Sequence, residues 1–204
     1  MKQIFINDIA FKLKKGKPGS GKRSIHFDEL KEQHLEQFVA NTKSLTPGES
    51  VIIWGEKPII IREYFIKNLH YLEAGGGLVI NPKGEILFIK RLGKWDLPKG
   101  KPENGENIRQ TAIREVKEEC SVSKLEIIAP LPSTFHIYPL VQGKYAIKQS
   151  YWFVMYSNEW ENIKAQTEED ITEVKWLQRP IPRNILEGAF LSIRWLLTYY
   201  QKNY

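Results

Sequence analysis

The sequence is poor in cysteine and lacks any long apolar run, and each absence narrows the class of protein. Its 204 residues include one cysteine, Cys120, so no disulfide can form within the chain. That usage is typical of a reducing compartment. No apolar run approaches the ~18 residues that cross a bilayer, and the first residues show neither the apolar core nor the cleavage site of a signal peptide. We therefore expect a cytoplasmic protein with no membrane partner.

The positive charge is confined to one end of the chain. The formal net charge is +6. Residues 1–27 contain seven basic residues and one acid, which is a net of +6, and the other 177 residues balance at 23 of each sign. A charge so placed argues against a general nucleic-acid-binding face, so nucleic acid is not an expected partner. A small polyanion is the expected ligand of a basic segment.

The hydrophobic pattern divides the chain at about residue 72. Residues 1–72 read as a small α/β extension, with short strands around an Asn7-Asp8 turn, one helix over 27–45, a buried strand in "SVIIWG" and a helix ending in "HYL". The remainder, 73–204, reads as one larger α/β domain with a closing amphipathic helix. An extension of ~70 residues is marginal alone. A second copy of the chain is therefore a candidate partner, since symmetric dimers are the commonest way to cover such a surface.

The basic loop of the extension imitates a phosphate-binding loop. In "GKPGSGKRS" the glycines at 16 and 21 and Lys22 have Walker A spacing, but Arg23 stands where a hydroxyl for Mg²⁺ is required. The preceding segment is also too short and polar to be the buried strand that such a loop follows. A solvated loop, or a basic arm that meets a polyanion, is the better interpretation.

A crowded acidic helix raises the main chemical question. In "REVKEEC" a helix places Glu115, Glu118 and Glu119 at i, i+3 and i+4 on one face, roughly 5–6 Å apart. Like charges so arranged weaken a helix by roughly 0.2–0.5 kcal/mol per pair. Either the face is merely solvated, or a cation binds there. Mg²⁺ is a hard ion held by carboxylates and substrate phosphates, which fits the second possibility.

The acidic helix belongs to a longer pattern that resembles the Nudix box, G-x5-E-x7-R-E-U-x-E-E-x-G-U with U apolar. Gly100, Glu106 and Arg114 open it, and eight of its nine specified positions match. Ser121 replaces the last glycine, which suits a left-handed residue after a helix. Serine there costs about 1–2 kcal/mol but removes no ligand. The resemblance implies an α/β/α sandwich with a mixed sheet.

The resemblance also implies a metal-dependent hydrolase that cleaves a diphosphate bond, with Mg²⁺ or Mn²⁺ as cofactor. The implied metal ligands are Gly100 through its carbonyl, Glu115, Glu118 and Glu119. Arg114 and Glu106 would hold the glutamates in place. Glu115, Glu118 and Arg114 thus belong to the expected catalytic set, with Glu169 of the acidic loop as the general base and Glu168 as the second choice.

The lead-in "KWDLPKGKPENGE" is similar to the Nudix branch of dinucleoside polyphosphate and diphosphoinositol polyphosphate hydrolases. That similarity implies substrate contacts at six positions: Arg91, Lys99, Lys101, His136, Tyr138 and Lys148. Solvated cations and strand packing are the alternatives for these side chains. A sugar-nucleotide pyrophosphatase is an alternative, because such enzymes carry N-terminal extensions. A non-hydrolysing, nucleotide-sensing module is also open, although such modules usually lose box glutamates.

Overall fold

A computed structural model of the protein describes residues 3–159 and 161–204. The chain divides into two compact units. Unit 1 takes the residues up to Leu72 together with Thr134–Gln149, and unit 2 takes Glu73–Ser133 and Ser150–Tyr204. The sequence-based division differs because it left the stretch 134–149 in the second domain. A functional domain boundary at residue 72 stays a prediction.

The described chain contains both strands and helices in mixed order. The strands are β1 (Gln3–Ile6), β2 (Ile9–Lys15), β3 (Ser24–His26), β4 (Ser50–Gly55), β5 (His70–Ile80), β6 (Ile86–Arg91), β7 (Lys94–Asp96), β8 (Lys99–Gly100), β9 (Leu125–Pro139), β10 (Tyr145–Ser157) and β11 (Ile171–Leu177). The helices are α1 (Phe27–Glu32), α2 (Leu35–Asn41), α3 (Pro58–Asn68), α4 (Ile108–Cys120), α5 (Arg183–Glu187) and α6 (Leu191–Asn203). Strands β9 and β10 each contribute residues to both units.

Unit 1 is a mixed sheet covered on one face by three helices. Strand β1 pairs antiparallel with β2 around Asn7 and Asp8, both of which have the positive φ of a tight hairpin turn. The other side of β1 pairs in parallel with β9, and β2 and β3 flank β4 in parallel. Residues of all three helices share a core with β1, β2 and β4. Phe11, Phe38 and Phe65 are among its members.

Two predicted helices differ in their bounds. The helix expected over 27–45 is broken at Gln33 and His34, both of them extended residues, into α1 and α2. The helix expected through "HYL" ends at Asn68, and the chain enters β5 at His70. The three residues of "HYL" are too few to distinguish a period of 3.6 from a period of 2, so the pattern alone does not show where the helix ends.

Unit 2 is a mixed sheet with helices on both faces. Residues of β5, β6 and β10 alternate between two cores. One set packs against α5 and α6: Leu78, Phe88, Trp152 and Val154. The other set packs against α4: Val79, Leu87, Ile89, Phe153 and Met155. Strand β11 closes the edge beside β6. The result is the predicted α/β/α sandwich.

The closing helix and the long loop also differ from expectation, and backbone hydrogen bonds join the two segments. The predicted helix over 183–202 is interrupted between Gly188 and Phe190, giving α5 and α6. Trp95 N donates to the Gly188 carbonyl at 3.0 Å, and Phe190 N donates to the Trp95 carbonyl at 3.2 Å. The loop "KWDLPKG" is ordered as β7, which pairs with β6, and β8, which pairs with β5.

The two strands expected at 124–131 and 133–140 form the single strand β9. Among the described residues no helix is long and apolar enough to cross a membrane.

Candidate active site

Helix α4 carries the acidic box and is capped by its own sequence. The Asn107 side chain accepts from the backbone N–H of Arg109 and Gln110, and Gln110 returns a bond to the Asn107 N–H. This reciprocal pair is a capping box, readable as N-x-x-Q, although the sequence analysis did not use it. The buried face of α4 meets β5 at Gly75, where a Cβ would lie 2.6 Å from the Ile108 carbonyl. The glycine lets the helix approach the sheet closely.

Arg114 ties the box together. Its guanidinium donates two hydrogen bonds to Glu106, from Nε to Oε1 at 2.7 Å and from Nη2 to Oε2 at 3.0 Å. The same side chain reaches Glu115 at 2.9 Å, Glu118 at 2.8 Å and the Lys101 carbonyl at 2.8 Å. The Arg114 bonds hold the pKa of Glu106 at about 2, and the carboxylates raise the pKa of Arg114. The role expected of Arg114 and Glu106, holding the glutamates in place, agrees with these contacts.

Gly100 lies against the carboxylate of Glu115. In β8, Gly100 pairs with Gly75 of β5. A Cβ on Gly100 would stand 2.1 Å from the Glu115 carboxyl carbon, so any side chain there would displace that carboxylate. Glu115 itself is buried, and burial raises its pKa. The neighbouring charges of Glu169 and Glu118 act in the same direction.

Glu119 is the most deeply placed acid of the box. Its side chain is fully buried, and Oε2 accepts the backbone N–H of Lys99 at 2.9 Å. Oε1 is buried without a hydrogen-bond partner, and Arg91 Nη1 lies 3.6 Å away. Burial raises the pKa of Glu119 to about 8. A buried carboxylate oxygen with no donor is costly unless a cation satisfies it.

The predicted base, Glu169, lies in a turn fastened to the end of α4. Lys164 N donates to the Cys120 carbonyl at 3.1 Å, and Gln166 N donates to the Glu119 carbonyl at 3.2 Å. These bonds satisfy carbonyls that a helix end leaves open. Glu169 follows in a short 3-10 turn, half-exposed, with Oε2 3.4 Å from Arg91 Nη2. Arg91 therefore stands between the carboxylates of Glu119 and Glu169.

The fit of this set to a divalent cation can be judged from the donors. Among residues 3–159 and 161–204, no three His, Cys, Asp or Glu side chains form a ready-made metal cage. Arg114 Nη1 bonds to both Glu115 and Glu118 and so occupies one side of these two carboxylates. Oε1 of Glu119, which has no hydrogen-bond partner among the described residues, and the buried Glu115 beside Gly100 nevertheless offer hard oxygen donors. Few protein ligands and several waters suit Mg²⁺, so the residues fit such an ion.

The cations predicted to contact substrate in unit 2 are placed differently from one another. Lys99 directs its ammonium to Asp96 Oδ2 at 2.6 Å, and both side chains are nearly buried. Asp96, which the sequence analysis missed, also accepts the Leu97 N–H at 2.8 Å. The spacing D-x-x-K inside an ordered loop was the available signal. Lys101 is exposed, and Arg91 faces the acids described above.

His136, Tyr138 and Lys148 come together in unit 1. The rings of His136 and Tyr138 have centroids 6.1 Å apart, and Lys148 Nζ lies 5.5 Å from the Tyr138 ring centroid. Burial raises the pKa of the Tyr138 hydroxyl. The three predicted contacts thus form one cluster, while the acidic box lies in unit 2. Their role in substrate binding stays a prediction.

Ser121 has the predicted conformation. It ends α4 with φ 56° and ψ 27°, which is the left-handed region, and its N–H donates to the Lys117 carbonyl at 2.9 Å. The departure from the box pattern therefore leaves the backbone of the box intact.

Comparison with known proteins agrees with this architecture. The chain matches the RNA pyrophosphohydrolase of Erythrobacter litoralis at 28% identity over 138 residues, which is 59% of this chain and 84% of that protein. It matches Nudix hydrolase 25 of Arabidopsis thaliana at 26% over 125 residues, covering 59% and 69% of the two chains. A C. elegans Ap4A hydrolase binary complex shares the fold, with TM-score 0.51 and 23% identity over 64% of this chain and 96% of that one.

The family assignment rests on more than half of the sequence. Residues 70–183 match the NUDIX domain model. This stretch contains the whole box and the loop with Glu169. The sandwich of unit 2 is the fold that the box predicted. The chain therefore belongs to the NUDIX domain family.

Proposed function

We propose that this protein is a Nudix diphosphohydrolase that cleaves a diphosphate bond in a nucleotide derivative with the help of Mg²⁺ or Mn²⁺. The observation that carries the proposal is the fully buried Oε1 of Glu119, which has no hydrogen-bond partner among the described residues and lies 3.6 Å from Arg91 Nη1. Burial disfavours the charged form of this carboxyl group, and a bound divalent ion would favour it. Glu115, beside Arg114 and Gly100, lies on the same helix.

The chemistry follows from what the side chains can hold. A bound divalent ion supplies charge neutralisation of the diphosphate oxygens and a water molecule of lowered pKa. Glu115, Glu119 and the Gly100 carbonyl are the groups that would hold it. Glu118, half-exposed, is the remaining box ligand. Arg114 fixes the directions of two of these carboxylates, so its contribution is positional.

Glu169 is the proposed general base. It is accessible to water, its carboxylate acts electrostatically on Glu115, and its turn is fastened to α4. A carboxylate at that place can accept a proton from the attacking water at Oε1 or Oε2. Arg91 Nη2 lies 3.4 Å from Glu169 Oε2, and a cation that replaced Arg91 beside Glu119 would release its guanidinium toward a substrate phosphate. Glu168, exposed in the same turn, is the alternative base.

The proposed substrate is a nucleoside polyphosphate with a second moiety on the diphosphate, of the dinucleoside polyphosphate or diphosphoinositol type. The loop "KWDLPKG" supports it by its similarity to that branch. The relatives named RNA pyrophosphohydrolase make RNA a further candidate substrate. Sugar nucleotides are the alternative.

A hydrolysis panel with product identification tests the proposal. The panel contains dinucleoside polyphosphates, diphosphoinositol polyphosphates, 5′-triphosphorylated RNA, sugar nucleotides and nucleoside triphosphates, each with Mg²⁺, Mn²⁺ or a chelator. We expect metal-dependent cleavage at one diphosphate bond. Glu118→Gln should lower turnover at least ~100-fold, equal to about 2.7 kcal/mol of barrier. Glu126→Gln, an exposed acid on β9, is the matched control.

Two results would contradict the proposal. Near-normal turnover in Glu118→Gln would remove the metal assignment. Tight nucleotide binding with no hydrolysis of any substrate in the panel would favour a nucleotide-sensing module.

A further inference from the structure

One face of the unit 1 sheet carries basic and aromatic side chains that the proposed reaction does not use. Strand β2 sends Phe11 and Leu13 into the core with the helices. Since strand residues alternate, Lys12 and Lys14 point to the opposite face, and both are exposed. We call this opposite side the outer face. Its exposed part is formed by β2 to β4, outside the stretch 70–183 that matches the family model.

An aromatic pair lies next to Lys14 on the outer face. In the strand register Lys14 is opposite Trp54 of β4, and Trp54 is opposite His26 of β3. The Trp54 and His26 rings have centroids 4.3 Å apart at an interplanar angle of 56°. Part of Trp54 remains exposed, so one aromatic platform is held in place with a surface that water still reaches. Such platforms stack nucleobases in single-stranded nucleic acid binders.

The charge balance favours an anionic ligand. Within residues 3–159 and 161–204, neither Lys12 nor Lys14 has an ion-pair partner. The last residue of β2, Lys15, and the adjacent loop, with Lys17 and Lys22, add further exposed cations. Two nearby acids, Asp28 and Glu49, are already bound to basic side chains. The outer face therefore keeps a positive potential that would attract a polyanion.

We propose that the outer face of unit 1 binds single-stranded nucleic acid. Lys12 and Lys14 contact backbone phosphates, and Trp54 stacks on a base. A base can reach Trp54 only when it is not enclosed in a duplex, which is why the ligand is single-stranded. The sequence argued against a general nucleic-acid surface because the charge of the whole chain is local. The fold gathers that local charge around an aromatic pair.

Fluorescence anisotropy of the full-length protein with a labelled ten-nucleotide oligo(A) RNA tests the proposal. The buffer contains a chelator, so the result does not depend on hydrolysis or on the proposed function. In Lys12→Gln/Lys14→Gln we expect Kd to rise at least ~10-fold at low salt. The plot of log association constant against log salt concentration has a negative slope, and its magnitude should decrease by about 1.4, at ~0.7 for each lost phosphate contact. Lys43→Gln/Lys67→Gln, which removes two exposed lysines of the same unit, should match wild type.

A second pair of variants separates stacking from charge. Trp54→Leu should weaken oligo(A) binding without changing the salt slope, and Trp54→Phe should restore most of the affinity. Any of three results would overturn the proposal. The first is no binding of oligo(A) at low salt, and the second is an equal loss of affinity in the Lys43→Gln/Lys67→Gln control. The third is that heparin or duplex RNA binds as tightly as oligo(A) and that Trp54→Leu does not change this affinity. Circular dichroism of each variant confirms that unit 1 is folded.

Discussion

Replacing Glu119 by Gln should stabilise the metal-free protein at alkaline pH, although Glu119 is a predicted metal ligand. The side chain is fully buried, and its pKa lies at about 8 instead of the ordinary 4.5, chiefly because burial disfavours the charged form. Between these two pH values the folded state binds a proton that the unfolded state has released. The stability from Glu119 is therefore complete below pH 4.5 and is lost as the pH rises through about 8.

The size of the effect follows from the displaced pKa. At about 1.4 kcal/mol per pKa unit, ionising this carboxyl inside the fold costs about 4–5 kcal/mol. Most of that cost appears between pH 5 and 8, where it amounts to about 3–4 kcal/mol of unfolding free energy. Glutamine keeps the shape and stays neutral, so Glu119→Gln removes this slope.

Urea unfolding followed by tryptophan fluorescence, in a chelator between pH 5 and 8.5, measures the effect. The quantity of interest is the difference in unfolding free energy between variant and wild type at each pH, because other titrating groups cancel in that difference. It should move by about 3–4 kcal/mol in favour of Glu119→Gln from pH 5 to 8. Glu126→Gln, an exposed change on β9, should show a difference independent of pH.

Addition of metal should make wild type more stable than Glu119→Gln. At pH 8, Mn²⁺ should stabilise wild type by mass action and have much less effect on Glu119→Gln. A stability difference that is the same at pH 5 and pH 8 would refute the assigned burial cost. Equal stabilisation of both proteins by Mn²⁺ would show that Glu119 does not hold the ion.

Four further predictions concern three single residues and the oligomeric state. Ser121→Gly should raise the unfolding free energy by up to about 1 kcal/mol, because the position is left-handed, with unchanged turnover; a lower melting temperature would contradict this. Gly100→Ala should lower both stability and Mn²⁺ affinity, since the new Cβ meets a carboxylate at 2.1 Å, whereas Gly19→Ala, which meets nothing within 4 Å, should match wild type. Asp96→Asn should disturb the Lys99 contact and raise the Michaelis constant more than it lowers turnover; an unchanged Michaelis constant would count against that role. Light scattering should give the molar mass of a dimer for the full chain, and the mass of a monomer would contradict that prediction.

The sequence alone identified the box and its family because the information in the box is local. The spacing of Gly100, Glu106, Arg114 and the glutamates lies within one loop and one helix, so a linear pattern records it. The left-handed Ser121 was predictable for the same reason, since the end of a helix imposes its own backbone conformation. The α/β/α sandwich followed from the resemblance that this box carries.

Tertiary structure decided what depends on partners distant in the chain. The break between α5 and α6 needs Trp95, and the ordering of "KWDLPKG" needs the same contact. The burial of Glu119, with one oxygen bound to Lys99 N and one without a donor, arises where β8 crosses α4. The outer face of unit 1 exists because β2, β3 and β4 align Lys14, Trp54 and His26 in one row. Hydrogen bonding between remote segments sets these placements, and no periodicity within one segment encodes its partner.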